Sequence, residues 1–484
     1  MKRKNPKTFR LPSARAIASA VLLLCLSAAA WSVDDLFLGP ALSLGPTSTE
    51  RGYLIDANPA AYYAGENGGN RLSVDGGLRL EYGNVDDLFK LIDDLSNSIN
   101  GPDGGGGGGG SGGGAPGPPI DPIDPDLEEV INAIVKEAER IAPLIAWVAF
   151  EGYAKSETAL GVDIQVGKPV LGGQLRVAVS TVELAGAVGI ADEINFDGDE
   201  ALDQLEKAWN LTPDSPKTTF DLTGGVYLTV DPPTGNVSFT FENDSLLLTK
   251  STRETTFALD YAAPIHVTDA TTVTLGVRPK FIQVGSSNVA TRLGDIRDAE
   301  SLFKQIDDAR LQYEEDFAMD MGLRLTGQQY QLGITVRNAV KPSFRFPGLD
   351  YSRYTSAEVV RQVESSRRYD PNRQVSVDGA LVSASGRWLL QGAVDLDTNI
   401  DPLQLPYQWF TLGASYSGTH WYSSNFRAGL RKNLAGTGLG YASMGYTLAG
   451  FWNFDLGLGL ESVTLQGQKL PKSLAVSTGF QRRF

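Results

Sequence analysis

The feature that most constrains this chain is a two-residue alternation tied to a sorting of its loops. Leu72, Val74, Leu78, Leu80 and Tyr82 interleave with Ser73, Asp75, Gly77, Arg79 and Glu81. The same pattern returns with Trp452, Phe454, Leu456, Leu458 and Leu460 against Asn453, Asp455, Gly457, Gly459 and Glu461. A period of two places one set on each face of a strand. Sixteen candidate strands read this way, at 72–83, 157–167, 171–182, 218–230, 236–248, 253–264, 271–284, 314–326, 329–339, 373–384, 386–397, 407–417, 422–431, 437–448, 452–461 and 472–484. Merging two hairpins would leave fourteen. The long gaps (84–156, 183–217, 285–313, 340–372, 398–406 and 462–471) all follow odd-numbered strands, and the gaps after even-numbered strands are short turns such as Ala449-Gly450.

A soluble sheet with one wet face gives the same alternation, but it has no reason to keep its long loops on one side. Long loops on one rim and tight turns on the other are the asymmetry of outer-membrane barrels. The expected fold is all-β: a transmembrane antiparallel β-barrel of about 14–16 strands, with an N-terminal plug and helical insertions in its extracellular loops. In such a barrel the apolar face meets lipid and the charged face lines the lumen. Asp75, Arg79, Glu81, Arg278, Lys280, Asp395, Arg427 and Asp455 are therefore expected to face the lumen.

The N-terminus fits the compartment. Lys2 to Arg15 is basic, Val21 to Leu26 is apolar, and Ala30-Trp31-Ser32 offers small residues to a signal peptidase, so residues 1–32 read as a signal peptide. Cys25, the only cysteine, lies inside it, and its removal leaves no disulfide or thiolate chemistry. Leu24 stands where a lipoprotein signal would have a small residue. The whole chain carries −15; losing the six basic groups of the leader leaves 36 cations against 57 carboxylates, or −21. An acidic body of this kind repels nucleic acid, and no basic patch offsets it.

Residues 85–99 form an amphipathic helix candidate in the first long loop, with Leu88, Phe89 and Ile92 on its apolar face. The Gly104–Gly114 tract reads as a flexible linker, and a second helix starts at Asp126. The heptapeptide at 88–94 matches 302–308 at six of seven positions. The matching pair could be two helices closing the barrel mouth, with Leu88, Phe89, Ile92, Leu302, Phe303 and Ile306 as a groove for ligand, or a coincidence between helices built from the same few residue types. In another loop, Glu193, Asn195 and Asp197 take the first, third and fifth places of a calcium loop. Its twelfth place is Gln204 where a bidentate Glu is needed, so an acidic surface loop is the better reading and no metal is expected.

Chemistry is sparse. The only histidines, His266 and His420, are expected in short turns, and no Walker, HExxH or paired-cysteine pattern occurs. No enzyme, catalytic residue or cofactor is expected.

Three resemblances follow from the residues. Asn58-Pro59-Ala60, just before the first strand, resembles the Asn-Pro-Ala motif of FadL-like outer-membrane transport barrels, which implies that residues 33–71 plug the barrel formed by 72–484. That motif, with Gly77-to-Leu95, Leu275-Gly276-Val277 and Phe426-to-Ala435 running on to Phe484, resembles the outer-membrane TraF-type conjugal transfer family. This implies a barrel and no redox chemistry. The last strand, with Leu474, Val476, Thr478, Phe480 and Phe484 on one face, resembles the signal read by the barrel-assembly machinery, with Arg482 in place of an aromatic or apolar residue. The expected partners are outer-membrane lipid of a Gram-negative cell, that machinery, and a small apolar or amphipathic ligand that the barrel binds or passes. The alternative is a structural or mating-surface component of a conjugation apparatus with no transported ligand.

Overall fold

A computed structural model describes residues 38–45, 58–63, 69–82, 153–192, 198–223, 225–241, 243–292, 309–419, 425–465 and 468–483. The expected leader, loop helices 85–99 and 302–308 and calcium ligands 193–197 lie outside the described residues.

Fourteen antiparallel strands close into a barrel in chain order. They are β1 (Arg71–Tyr82), β2 (Tyr153–Gln165), β3 (Gln174–Ile190), β4 (Leu246–Val267), β5 (Thr272–Arg292), β6 (Gln312–Thr326) and β7 (Tyr330–Val340). There follow β8 (Gln374–Val382), β9 (Trp388–Asp395), β10 (Trp409–Tyr416), β11 (Asn425–Asn433), β12 (Gly440–Leu448), β13 (Trp452–Gly459) and β14 (Ser473–Arg483). The first and last strands pair in register from Arg71 with Arg483 to Glu81 with Ser473, so no edge is left open.

The polarity of the wall is inverted relative to a soluble protein. On β1, Ser73, Asp75, Arg79 and Glu81 are buried. Arg79, Arg176 and Arg278 are among the largest fully buried side chains of the molecule, while Phe257, Phe281, Phe317, Leu332, Leu412 and Leu430 are exposed. Only a wall with lipid outside and polar groups inside makes both halves of that pattern favourable. Near the short turns, outward aromatics stack in pairs: Trp388 with Tyr416 at 4.9 Å, Phe426 with Tyr446 at 4.8 Å and Phe451 with Phe480 at 5.4 Å. Such a belt belongs where the membrane meets water. Among the described residues no helix is long and apolar enough to cross a membrane.

Two of the sixteen expected strands are not in the wall. Residues 218–221, 226–231 and 236–241 form a separate three-stranded sheet. It packs Phe220, Leu222 and Leu228 against Ala201 and Leu205 of helix α2 (Gly198–Trp209); the shorter helix α1 (Pro40–Leu44) precedes β1. A sheet half-covered by a helix has the same two-residue period as a barrel strand, so alternation alone does not separate them. The barrel strand that follows starts at Leu246 and runs 22 residues. His266 is exposed near the end of β4, not in the turn itself, and His420 lies outside the described residues.

Candidate lumenal site

Because a strand's faces alternate, the buried polar residues point into one bore, and they pair there. Asp260 of β4 meets Arg176 of β3 at 2.7 Å and Arg278 of β5 at 2.5 Å. Arg176 also holds Asp163 at 3.0 Å, and Asp320 of β6 receives Arg278 at 3.4 Å and Lys280 at 3.1 Å. Charges thus alternate in sign across five adjacent strands, so each guanidinium is compensated from both sides. Elsewhere in the bore Arg427 pairs with Asp455 at 2.8 Å, and Arg79 with Glu157 at 2.6 Å. Glu81 accepts hydrogen bonds from the hydroxyls of Tyr153 at 3.1 Å and Tyr441 at 2.7 Å. Asp395 accepts from the Trp409 N–H at 2.9 Å, and Asp75 sits in register between Gly161 and Gly479. Of the eight residues singled out from sequence, Arg278 and Lys280 share Asp320, and Arg427 pairs with Asp455. Their partners Asp163, Arg176, Asp260 and Asp320 were not singled out, although they lie at inward positions of the same alternation.

Two N-terminal pieces lie against this inner face. The Asn58 side chain accepts from the Ala60 N–H at 2.9 Å, closing a single turn over Pro59–Tyr62. It also donates to the Leu323 and Ile334 carbonyls at 3.1 Å each. Gly276 and Gly322 make this seating possible: a Cβ at the first would run into Pro59 and Ala60, and at the second into Asn58. Arg324 donates to the Ala61 carbonyl at 3.1 Å, Gln165 to that of Tyr62 at 2.7 Å, and the Arg176 guanidinium lies 4.2 Å over the Tyr62 ring. The earlier piece, around α1, rests on β10 to β13. The Gly39 N–H donates to Ser477 at 2.7 Å, the Ser43 hydroxyl to Asp455 at 2.6 Å, and Gln391 to the Leu44 carbonyl at 2.9 Å.

On the long-loop rim, two loops fold inward. Helix α3 (Ala357–Ser366) buries Val359 and Val363 against Ile190, Leu246 and Leu248, whose parity with Arg176 and Asp260 makes them inward-facing. Phe344, Phe346 and Tyr369 from the same loop cover Ile282, Val284 and Ala318. The start of α3 is held by Asp244, which accepts from the N–H groups of Thr355 at 2.5 Å and Ser356 at 2.6 Å and pairs with Arg292 at 2.9 Å. Burial works to raise the Asp244 pKa, but these donors outweigh it and hold the carboxyl below its usual range. The second loop is a finger, with Asn399–Ile400 paired to Pro406–Tyr407.

Among the described residues no group of three His, Cys, Asp or Glu side chains could hold a metal ion. What the arrangement offers is a bore of fixed, compensated charge under an apolar mouth. The six groove candidates Leu88, Phe89, Ile92, Leu302, Phe303 and Ile306 lie outside the described residues.

A family model described as "F plasmid transfer operon, TraF, protein" matches residues 56–397. A search of curated proteins returned no match. Among solved structures, a TodX monoaromatic hydrocarbon channel lacking S2 and S3 is similar at a TM-score of 0.44 and 8% identity, over 93% of this chain and 100% of that one. A Pseudomonas aeruginosa FadL homologue is similar at 0.33 and 11% identity, over 94% and 99%. The Ralstonia pickettii toluene transporter TbuX is similar at 0.29 and 10% identity, over 92% and 97%.

Proposed function

The chain belongs to the family described as F plasmid transfer operon, TraF, protein, and we propose that it is an outer-membrane barrel that binds and passes small apolar or amphipathic molecules. In this reading residues 33–71 plug the lumen and 1–32 direct export. The observation that carries it is the layering of the inner face of two adjacent strands. Near the rim the α3 loop seats Val359 and Val363 on Leu246 and Leu248, and Phe344, Phe346 and Tyr369 on Ile282 and Val284, with the polar Lys250, Ser286 and Asn288 among them; deeper in the same strands stand Asp260, Lys280 and Arg278. A molecule that displaced this loop would find apolar patches near the rim and charge deeper in the bore, which suits one with a greasy body and a polar end.

The groove of Leu88, Phe89, Ile92, Leu302, Phe303 and Ile306 would make the first capture. Binding of a fluorescent fatty acid to the purified protein in detergent tests both parts. Phe89→Asp with Phe303→Asp is expected to weaken binding at least tenfold; unchanged affinity removes the groove, and no binding by the unaltered protein removes the reading.

The family description itself favours a second reading, a structural or mating-surface part of a conjugation apparatus. A deletion strain that takes up apolar solutes normally but loses plasmid transfer would decide for it.

A further inference from the structure

Ring position gives the inward-folded finger a meaning. In a ring of fourteen, β9 and β10 lie seven places from β2 and β3, on the opposite wall. The finger leaves β9 at Asp395 and re-enters β10 at Trp409, yet its tip touches that far wall. Asp401 pairs with Lys155 of β2 at 2.8 Å, Leu403 packs on Leu184 of β3, and the Pro402 carbonyl accepts from Lys250 of β4 at 3.4 Å. Six residues at roughly 3.3 Å each reach about 20 Å, enough to cross the bore.

The contacts at the tip are buried: Lys155, Asp401, Leu184 and Leu403 are each at most 6% exposed. Lys155 also meets Glu157 at 2.8 Å, so its charge is shared between the wall and the finger. Lys250 donates as well to the Ser366 carbonyl at the end of α3, and Gln404 donates to the Arg368 carbonyl at 2.9 Å. The finger and the α3 loop are therefore interlocked, and one cannot lift without breaking contacts to the other.

The geometry points to a crossbar gate: residues 396–408 bar the mouth, the Lys155–Asp401 pair is its latch, and Lys250 ties it to the α3 loop. The gate rests on the reading of the bore as a route, but it is a statement about access alone and is testable without any ligand. Within the tip, Asp401 Oδ1 accepts from the Leu403 and Leu405 N–H groups at 2.9 Å each, while Oδ2 faces Lys155. Asp401→Asn can therefore keep the turn and lose the latch.

The test uses the full chain, purified in detergent, carrying Cys25→Ser and Leu184→Cys, and a charged methanethiosulfonate reagent at one fixed pH. Leu184 lies under the tip, so the reagent reaches Cys only when the finger lifts. Asp401→Asn and Lys155→Met are each expected to speed labelling at least tenfold, and the double variant to be no faster than the quicker single one, because both remove the same latch. Labelling of Ser385→Cys, in an exposed turn on the other rim, should not change. Unchanged labelling of Leu184→Cys in Asp401→Asn overturns the gate. Should that variant lose the heat-modifiable gel migration of a closed barrel, Leu403→Ala decides by the same measure. Fatty-acid binding on the same samples separates the two ideas: a gate that fails while binding persists leaves the proposed function standing.

Discussion

Asp260→Asn asks whether the alternating charges in the bore are held in a dry wall or only lie beside water. Asp260 is fully buried and sits between two fully buried guanidiniums, Arg176 at 2.7 Å and Arg278 at 2.5 Å. Removing one partner of a buried pair costs about 3–5 kcal/mol, because the remaining charge stays desolvated and uncompensated. Here each arginine keeps a second carboxylate, Asp163 at 3.0 Å and Asp320 at 3.4 Å. The expected loss is therefore near the lower end, about 3 kcal/mol, or roughly 150-fold in the folding equilibrium. Guanidinium-induced unfolding in phospholipid vesicles, followed by tryptophan fluorescence, measures it. The internal standard is Asp203→Asn, which breaks the surface pair with Lys207 at 2.6 Å, where both side chains are more than half exposed and the expected cost is below about 1 kcal/mol. If Asp260→Asn costs no more than Asp203→Asn, water screens the bore and the ladder of compensated charges is refuted.

Asn58→Ala removes two donors to buried wall carbonyls and the cap of the Pro59 turn, so about 2–3 kcal/mol of local stability should go; proteolysis of the N-terminal segment should quicken while the barrel keeps its gel migration. Leu412→Arg, on the exposed outer face in the middle of β10, should cost about 2–4 kcal/mol in vesicles, and a cost near zero would move the lipid band elsewhere. The Asp244 carboxyl is held below its free value by the α3 loop, so it stabilises the mouth at any pH above the unfolded value of about 3.9 and ceases to do so as pH falls through the lower folded value. Hydrogen exchange at Val359 to Val363 should be flat from pH 7 to 5 after correction for intrinsic rates, and protection should fall below about pH 4; Asp244→Asn should be less protected throughout and lose that step.

The wall is legible in the sequence because a barrel strand needs only local alternation, which 452–460 carries without interruption and 72–82 with one break at Gly76. The small sheet at 218–241 carries the same alternation for a different purpose, and only its helix, with Ala201 and Leu205 four apart, would have marked it as a separate unit. The upper part of β4 is harder to read. Leu246, Leu247 and Leu248 break the period because α3, more than a hundred residues away, covers their inner side, so the apolar run has a cause outside the strand. The bore is intermediate: alternation marks Arg278 and Asp455 as inward, but pairing Arg278 with Asp260 needs the register of two strands. The finger is the least legible. Nothing local in Asp401 to Leu405 points across the barrel; its partner Lys155 becomes apparent only once the ring of strands is counted.

The seam between β1 and β14 sets an order on assembly. Arg71 cannot find Arg483 until the whole polypeptide has been delivered, so closure is the most non-local event in the fold and among its slowest. The stretch around Asn58 and Ser43 ends up enclosed by that closure, with its partners on strands from both halves of the chain. Those contacts to both halves are complete only when the cylinder shuts, so their formation is tied to the same late step.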